Sequence, residues 1–427
     1  MFKFIKKRFF TDFKNSLRVG FFLALRQVKN SSKWTNFLII GVMTLTFLNL
    51  VVVSGVLVGL IDGASNAVGK RFLKDIFISN LTEKKFILNT TEITEILRAN
   101  PNVEGFSARY TEGGKIEANY KTKLRQDDIG DEVSAIFAGI NPEDENKLTG
   151  IKSLLIEGEF INENDFDRVV LGSMLLDQYA KIESSSFPTL SGVGIGSKIR
   201  VKVGGYTREV TVKGIIKSKV DELDRRIFFP EKQFRNLIGR FDLNASEIAV
   251  GLKDGASPIE MKNYLNNLGF NEFAKIQTKE DAEPKFLKDI KKTFEILGNL
   301  ISGIGLAVAA ITIFIVIFIN AITRRKYIGI LKGIGVNARA IEIAYVFQSI
   351  FYALVGTIFG SILIFGFLKP YVDAHPINFP FSDGIIVATL SGTMMRVLVL
   401  FIATLIAGFL PARIVINRNT LDSILGR

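Results

Sequence analysis

Four long apolar runs divide the chain into membrane-like and soluble-like parts. They cover residues 37–61, 297–322, 343–368 and 394–411, without Asp or Glu in any of them. A helix needs about 20 residues to cross a hydrocarbon core of about 30 Å. The pattern therefore predicts four membrane-spanning helices, the second of which begins at residue 291 with the end of a stalk.

The fourth run is the weakest because Arg396 lies inside it. Arg396 and Pro411 are separated by about 22 Å along a helix. With Pro411 at the inner interface, the Arg396 side chain reaches the outer interface by snorkelling. The span is therefore kept in the prediction.

Residues 62–290 predict an α+β domain inserted between membrane helices 1 and 2. A capped helix beginning at Asn89 lies among strand-like runs, and a similar strand–helix–strand unit recurs over 247–277. These two units bracket a different middle piece, 133–230, which suggests two half-repeats with an insertion. The predicted strands include residues 75–79, 84–88, 135–140, 168–171, 198–203 and 208–216.

Both ends of this domain continue the helical pattern of the adjoining apolar runs. Residues 62–74 extend the first run, and Phe286, Ile290 and Phe294 keep helical spacing into the second. The sequence predicts a stalk of two extended helices, which transmits motion better than a flexible linker does.

Residues 1–36 predict a cytoplasmic amphipathic helix before the first span. Apolar side chains recur every three or four residues opposite a cationic face, which suits a helix in the membrane interface. The alternative is a solvated helical extension of the first span. Trp34 lies where an aromatic residue anchors a span at the interface. The apolar face comprises Phe13, Leu17, Phe21, Ala24 and Val28.

The chain has a formal net charge of +12, and the location of the basic residues shows whether they indicate nucleic-acid binding or membrane topology. Residues 62–296 contain 35 Lys and Arg against 37 Asp and Glu, so the excess lies beside the apolar runs. This is the positive-inside pattern and argues against a nucleic-acid-binding face. The predicted cytoplasmic segments are 1–36, 323–342 and 412–427; the predicted extracytoplasmic segments are 62–290 and 369–393.

The sequence offers no catalytic, cofactor-binding or metal-binding constellation. It has no cysteine, and its one histidine, His375, has no ligand partners nearby. The segment from Gly63 to Arg71 imitates a phosphate-binding loop, but it has one residue too many between its glycines and Arg in place of Ser or Thr. We therefore predict no nucleotide site in this chain.

The most informative segment runs from Thr323 to Gly335 (TRRKYIGILKGIG). It predicts a basic, glycine-punctuated turn of helix that reverses at Gly335, with Asn337 as the N-cap of the next helix. Glycines at 329 and 333 leave room for the backbone of another protein. The alternative is an ordinary positive-inside loop.

This segment resembles the cytoplasmic loop of the FtsX/MacB-type ABC transporter permeases, and other segments agree. Residues 23–29 (LALRQVK) resemble the opening of that family, and residues 410–425 resemble its ending. In the outer region, residues 138–142 (AGINP) and 157–160 (EGEF) resemble the lipoprotein-releasing and MacB members. The resemblance covers the whole chain and implies four membrane helices with a MacB-like periplasmic domain of porter and sabre parts, without a fused ATPase.

The resemblance further implies that residues 323–342 contain a coupling helix that docks on a separate nucleotide-binding subunit. Thr323 and Tyr327 stand where the family has acidic residues, so an ion pair made by those acids is not carried over. The residues implied in coupling are Arg324, Arg325, Lys326, Ile328, Gly329, Leu331, Lys332, Gly333, Ile334 and Gly335.

Two GxxxG patterns predict close helix crossings. Gly55 and Gly59 lie in the first span, and Gly356 and Gly360 lie in the third. Because glycine is common in membrane helices, chance occurrence is the alternative.

By resemblance, the chain is a multi-pass permease of the bacterial cytoplasmic membrane, not an enzyme and without a cofactor of its own; ATP and Mg²⁺ would be bound by the partner. It would transmit force to its outer domain for lipoprotein release or for export of a peptide or hydrophobic substrate. The implied partners are an ABC ATPase, a second permease copy or paralogue, and a periplasmic adaptor or lipoprotein. The alternative is a membrane-anchored regulator of an envelope partner such as a cell-wall hydrolase, without transport.

Overall fold

The structure, a computed structural model, describes residues 2–121, 131–180, 188–375 and 390–417. These residues fall into two compact units. The helical unit comprises the described residues of Met1–Asp62, Asp289–Asn378 and Asp383–Arg427, and the α/β unit comprises those of Gly63–Lys288.

The α-helices follow one another along the chain as α1 (Phe2–Lys29), α2 (Lys33–Val68), α3 (Thr90–Ala99), α4 (Pro142–Thr149), α5 (Asp221–Asp224), α6 (Glu231–Leu237), α7 (Pro258–Asn267), α8 (Lys279–Ala282), α9 (Lys285–Thr323), α10 (Arg325–Gly333), α11 (Ala338–Ser361), α12 (Lys369–Ala374) and α13 (Leu390–Ile416). Two π-helical segments, Gly69–Leu73 and Ile362–Leu368, continue α2 and α11 respectively.

Four helices of the described part are long and apolar enough to cross a membrane, judged by length and composition. They are Lys33–Leu73, Lys285–Thr323, Ala338–Ala374 and Gly392–Ile416. The four predicted spans lie within these helices. Each helix is longer than its span because polar turns at the ends keep helical geometry.

Helices α2 and α9 are antiparallel neighbours in the helical unit. A Cβ at Gly298 of α9 would lie 3.5 Å from Ser54 Cα of α2. Further along both helices, Lys291 Nζ lies 2.6 Å from Asp62 Oδ1. Both helices continue past the predicted spans, as the stalk pattern predicted.

The α/β unit contains one ten-stranded sheet. The strands are β1 (Ile76–Asn80), β2 (Val103–Ala118), β3 (Asp131–Ile140), β4 (Leu155–Gly158), β5 (Arg168–Gly172), β6 (Lys198–Val203), β7 (Tyr206–Ile216), β8 (Arg226–Pro230), β9 (Glu247–Leu252) and β10 (Ala274–Thr278). The strand order is β10-β1-β9-β2-β3-β8-β5-β7-β4, and β6 pairs with both β2 and β7.

The pairings divide this sheet into an open part and a closed part. In the open part, β1 lies between β9 and β10, and all of these pairs are antiparallel. In the closed part, β2, β3, β8, β5, β7 and β6 form a ring in which each strand pairs with the next, as in a small barrel. The 16-residue strand β2 belongs to both parts, because its first half pairs with β9 and its second half with β3 and β6.

Alternating apolar residues explain both parts. Every second residue of β6 is buried, namely Ile199, Val201 and Val203, and these pack in a core with Phe137 and Phe229. In the open part, α3 and α7 cover the sheet, and α7 begins where the Ser257 side chain accepts a hydrogen bond from Glu260 N–H and Pro258 occupies the first turn.

One predicted strand is wrong. Residues 84–88 form turns between β1 and α3. Ile87 is fully buried, and its main-chain N–H donates to Ala245 O at 2.8 Å. The side chain of Asn80 also holds the Lys84 carbonyl, which closes the turn after β1. A short apolar run therefore fills the core without pairing as a strand.

Candidate functional site

The segment between α9 and α11 forms a short helix followed by a tight reversal. α10 ends at Gly333, and Gly335 has a φ of 93°, a left-handed conformation that favours glycine. Val336 N–H donates to Leu331 O at 2.9 Å across this turn. The Asn337 side chain then accepts from Arg339 N–H at 3.0 Å and caps α11, as the sequence predicted.

One face of α10 packs against its own chain. Ile328 is 4% exposed and belongs to the apolar core of the helical unit, with Leu331 partly buried against the same core. Lys332 Nζ donates to Ile416 O at the end of α13, at 3.0 Å. These three residues, which were predicted to contact another protein, therefore also hold α10 in place.

The opposite face of α10 carries the exposed apolar residues. Tyr327 is 70% exposed, Ile330 50% and Ile334 73%. Lys326 is exposed beside them, whereas Arg324 and Arg325 are half-buried. A Cβ at Gly333 would meet open space, so the chain's own packing does not require glycine there. The surface that another protein can reach is made by Lys326, Tyr327, Ile330, Gly333 and Ile334.

One of the two predicted glycine pairs, Gly356 and Gly360, lies at a helix crossing. A Cβ at Gly356 of α11 would lie 2.5 Å from Met43 Cβ of α2, and one at Gly360 would collide with the Phe47 ring. Gly55 and Gly59 are buried in α2. A neighbouring contact that the sequence reasoning missed is Gly305 of α9, where a Cβ would lie 2.6 Å from Asn49 Oδ1.

Helix α1 packs against α11 through a narrow face of small residues. Its buried residues are small, Ser16, Gly20 and Ala24, and they contact α11. Leu17 and Phe21, which were predicted on the apolar face, are 39% and 50% exposed. The packing is close because small side chains let the two backbones approach. Phe13 lies outside the residues whose side chains the structure describes. Small residues spaced by four were the signal that the sequence reasoning missed.

A buried hydrogen-bonded chain connects α11 to α2 and to the end of α1. Gln348 Nε2 donates to Tyr352 Oη at 3.1 Å, and Tyr352 Oη donates to Asn36 Oδ1 at 2.7 Å. Asn36 Nδ2 in turn donates to Val28 O at 3.0 Å. Because α11 follows directly on α10, this chain links the hairpin to the first span. The sequence analysis did not predict these hydrogen bonds.

Arg396 lies in α13, as predicted, and its guanidinium donates to Ser54 Oγ of α2 at 2.6 Å. This contact gives the charged group a polar partner inside the helical unit. Among the described residues, no group of three or more His, Asp or Glu is arranged as a metal site. The lookalike segment from Gly63 to Arg71 is helical, so it has no loop that wraps a phosphate.

The comparisons with known proteins bear first on the C-terminal part of the chain. Residues 299–420 match the family model described as FtsX-like permease C-terminal. This match contains α10, the turn at Gly335 and α11, and it confirms the predicted resemblance to FtsX-like permeases. Among the curated proteins, no match is found.

Among solved structures, two similar chains are extracytoplasmic domains. The periplasmic region of MacB from Actinobacillus actinomycetemcomitans has 16% identity and a TM-score of 0.35, covering 54% of this chain and 95% of its own. The extracellular domain of a noncanonical ABC-type transporter, YknZ, from Gram-positive bacteria has 13% identity and a TM-score of 0.32, covering 48% of this chain and 100% of its own.

Proposed function

We propose that this chain, an FtsX-like permease in its residues 299–420, is the membrane subunit of an ABC transporter and is driven by a separate ATPase. The observation that carries the proposal is the exposed face of α10. It stands within the matched region, immediately before a glycine reversal that leads into a membrane-length helix. A short helix held in this way is suited to receive a displacement and pass it to the helix that follows.

The charge pattern supports a cytoplasmic position for this hairpin. Arg324, Arg325, Lys326 and Lys332 lie on or beside α10, between two helices of membrane length. Basic residues in short loops favour the cytoplasmic side. The same rule puts the N-terminus on the cytoplasmic side and the α/β unit outside, in the bacterial cytoplasmic membrane.

The exposed residues of α10 support docking of a protein rather than of lipid alone. Tyr327, Ile330 and Ile334 present apolar surface beside the exposed Lys326. Aromatic and aliphatic anchors with a polar rim are typical of protein interfaces. The partner that fits is a nucleotide-binding subunit, which would bind the ATP and Mg²⁺ and close against a second permease copy or paralogue.

The proposed output is mechanical. The proposed path of force is α2 and α9, each of which has residues in the helical unit and residues in the α/β unit. ATP-driven movement of α10 would thus reach an outer domain that handles a lipoprotein, a peptide or another hydrophobic substrate, alone or with an adaptor. The second candidate is control of an envelope enzyme such as a cell-wall hydrolase. The same two helices, α2 and α9, favour this candidate as well, because force can be transmitted to the outer domain without transport of a substrate.

The test is purification of the full chain from its native membranes in lipid nanodiscs, followed by protein identification and an ATP hydrolysis assay. We expect an ABC ATPase to be retained in stoichiometric amount and the complex to hydrolyse ATP, while the chain alone does not. A preparation that keeps its native partners but contains no nucleotide-hydrolysing subunit would contradict the proposal. Identification of a retained lipoprotein, adaptor or cell-wall hydrolase would decide between the two outputs.

A further inference from the structure

The last residues of α2, from Gly63 to Val68, belong to the α/β unit. α2 is continued by the π-helical turn Gly69–Leu73, and Lys74 N–H closes that turn on Gly69 O at 2.7 Å. Only Lys74 and Asp75 separate the turn from β1, and Asp75 N–H donates to Val250 O of β9 at 3.1 Å. π-helical turns are rare and concentrate at functional positions.

Within this turn, Phe72 is held by two arginines. Arg109 Nη1 donates to Phe72 O at 2.9 Å, and the Arg109 guanidinium carbon lies 5.0 Å from the centre of the Phe72 ring. The guanidinium carbon of Arg226 lies 4.7 Å from the centre of the same ring. Both distances are within the range of cation–π attraction, which is stronger when the cation is shielded from water.

Each arginine is paired with a carboxylate. Arg109 donates through Nε and Nη2 to the two oxygens of Glu145 at 2.9 and 2.8 Å. Arg226 donates to the two oxygens of Glu247 at 3.0 and 2.9 Å. The four formal charges cancel, and Arg109 and Glu145 are essentially without solvent exposure. Each pair has the two-point geometry that orients a guanidinium firmly.

The pKa shifts of Arg109 and Glu247 favour the charged forms of these two residues. Burial acts to lower the pKa of Arg109, but the combined effect of the Glu145 and Glu247 carboxylates raises it. Burial alone would raise the pKa of Glu247, but Arg226 and Arg109 outweigh burial and hold it below its ordinary value.

The cluster lies where the two parts of the sheet meet. Arg109 is the residue of β2 at which pairing with β9 ends, opposite Glu247, and pairing with β3 begins, opposite Ile140. Arg226 belongs to β8, in the closed part. The Phe72 ring is thus held by one side chain from the shared strand and one from the closed part.

A second tether acts on the same turn. Arg71 donates through Nη1 to the carbonyl of Ser218, which follows β7. Ser218 is itself fixed, because its main-chain N–H and its hydroxyl donate to Asp224 Oδ1 at 2.7 and 2.8 Å. The turn is therefore bound through two consecutive residues, to strand β2 and to the segment that follows β7.

Stability alone does not account for a buried cluster of this kind. Replacing buried ion pairs by well-packed apolar residues is often neutral or stabilising, so a sheet core has no need of four charges. Here both cations converge on one residue of the incoming helix. We infer that Phe72 is a positioning residue that fixes the end of α2 to both parts of the sheet through Arg109 and Arg226, so that a displacement of α2 moves the closed and open parts together. The inference rests on the proposed function only for the source of that displacement.

The test is a distance measurement between two spin labels in the full-length chain in nanodiscs, without nucleotide. The chain has no cysteine, so Asn66→Cys on α2 and Ser134→Cys on β3, both at exposed positions, give a specific label pair. We expect a narrow distance distribution in the otherwise unmodified chain and loss of that narrow distribution in Phe72→Ala. Phe72→Leu keeps a large apolar side chain but lacks the ring face, and we expect it to broaden the distribution as well.

The matched control is Phe77→Ala. Phe77 is 8% exposed and its ring centre lies 5.5 Å from that of Phe72, but neither arginine is in cation–π contact with it. Its truncation removes the same side chain from the same core and is expected to leave the distribution narrow. The inference would be overturned if both Phe72 variants had a distance distribution as narrow as that of the chain with unmodified Phe72. It would also be overturned if Phe77→Ala broadened the distribution as much as Phe72→Ala does.

A second arm keeps this result separate from the proposed function. In complex with the ATPase, ATP is expected to change the environment of the Ser134 label, and Phe72→Leu is expected to lose that change while still supporting ATP hydrolysis. If ATP has no effect on the unmodified chain, the proposed function fails. The widths of the distance distributions measured without nucleotide would still show whether Phe72 fixes the end of α2.

Discussion

Gly20 of α1 lies so close to Ile343 of α11 that a Cβ at position 20 would be 2.7 Å from Ile343 Cγ2 and 2.9 Å from Ala340 O. The backbone oxygen cannot move away without distorting α11. A glycine in the middle of a helix is otherwise unfavourable by about 1 kcal/mol relative to alanine. The contact between α1 and α11 therefore depends on the missing side chain at this position.

Gly20→Ala is expected to destabilise the helical unit by about 1–3 kcal/mol, because added volume in a close-packed contact forces backbone shifts. Reversible unfolding in mixed micelles measures this change. Gly303→Ala in α9 is the matched control, since a Cβ there meets open space, and it is expected to be neutral or stabilising. Equal effects of the two substitutions would contradict the close contact.

Tyr352→Phe is expected to weaken the helical unit by about 1–2 kcal/mol. Loss of the hydroxyl leaves the Asn36 carbonyl oxygen and the Gln348 amide without their partner in a buried place. The same unfolding measurement applies, with Tyr371→Phe as the control because Tyr371 is 66% exposed. If Tyr352→Phe unfolds like the unmodified chain, the hydrogen-bonded chain does not stabilise the link between α11 and α2.

Ile334→Asp is expected to weaken binding of the ATPase about tenfold or more, because a charge replaces an exposed apolar anchor, and such anchors each contribute about 1–3 kcal/mol. The free energy of unfolding is expected to stay unchanged, since Ile334 is 73% exposed. Titration of the purified ATPase onto nanodiscs measures the affinity. Ile259→Asp on α7, at a site 66% exposed in the α/β unit, is expected to bind normally. Normal binding by Ile334→Asp would remove this face of α10 from the proposed contact.

The α/β unit is expected to lose stability in acid through Glu247. The pKa of Glu247 is depressed in the folded state by Arg226 and Arg109, which outweigh burial. The contribution of Glu247 to the free energy of unfolding is therefore complete above the unfolded pKa, about 4.3, and is lost as the pH falls through the lower folded value.

Hydrogen exchange of the β2 and β9 amides between pH 6 and pH 3 measures this loss of stability. We expect the stability of Glu247→Gln to fall less steeply with decreasing pH than that of the unmodified chain. Glu260→Gln, on the surface of α7, should leave the acid loss intact. An unchanged slope in Glu247→Gln would contradict the depressed pKa.

Local signals in the sequence predicted much of the architecture. Apolar run length located the four long helices, and Gly335 with Asn337 located the reversal before α11, because each depends on residues close together in the chain. The strand-like run 198–203 likewise predicted β6 with its observed bounds. The turn at 84–88 was misread because the main-chain N–H of Ile87 pairs with Ala245 O, which belongs to a residue far away in the sequence.

The sequence could not predict which face of a helix packs inward. Ile328 and Ile334 have the same chemistry, yet one is buried and the other exposed, because the end of α13 covers only one side of α10. In α1 the apolar pattern likewise did not indicate which residues contact another helix. The close approach of α11 buries Gly20, which a hydrophobic pattern does not single out.

The strand β2 has a mechanical consequence for the α/β unit. Because one continuous strand pairs with β9 in the open part and with β3 and β6 in the closed part, any opening between the two parts would have to bend β2 near Arg109 or break its main-chain hydrogen bonds. The shared strand therefore couples the two parts of the sheet independently of the Phe72 contacts, and a bend in β2 is the movement that would separate them.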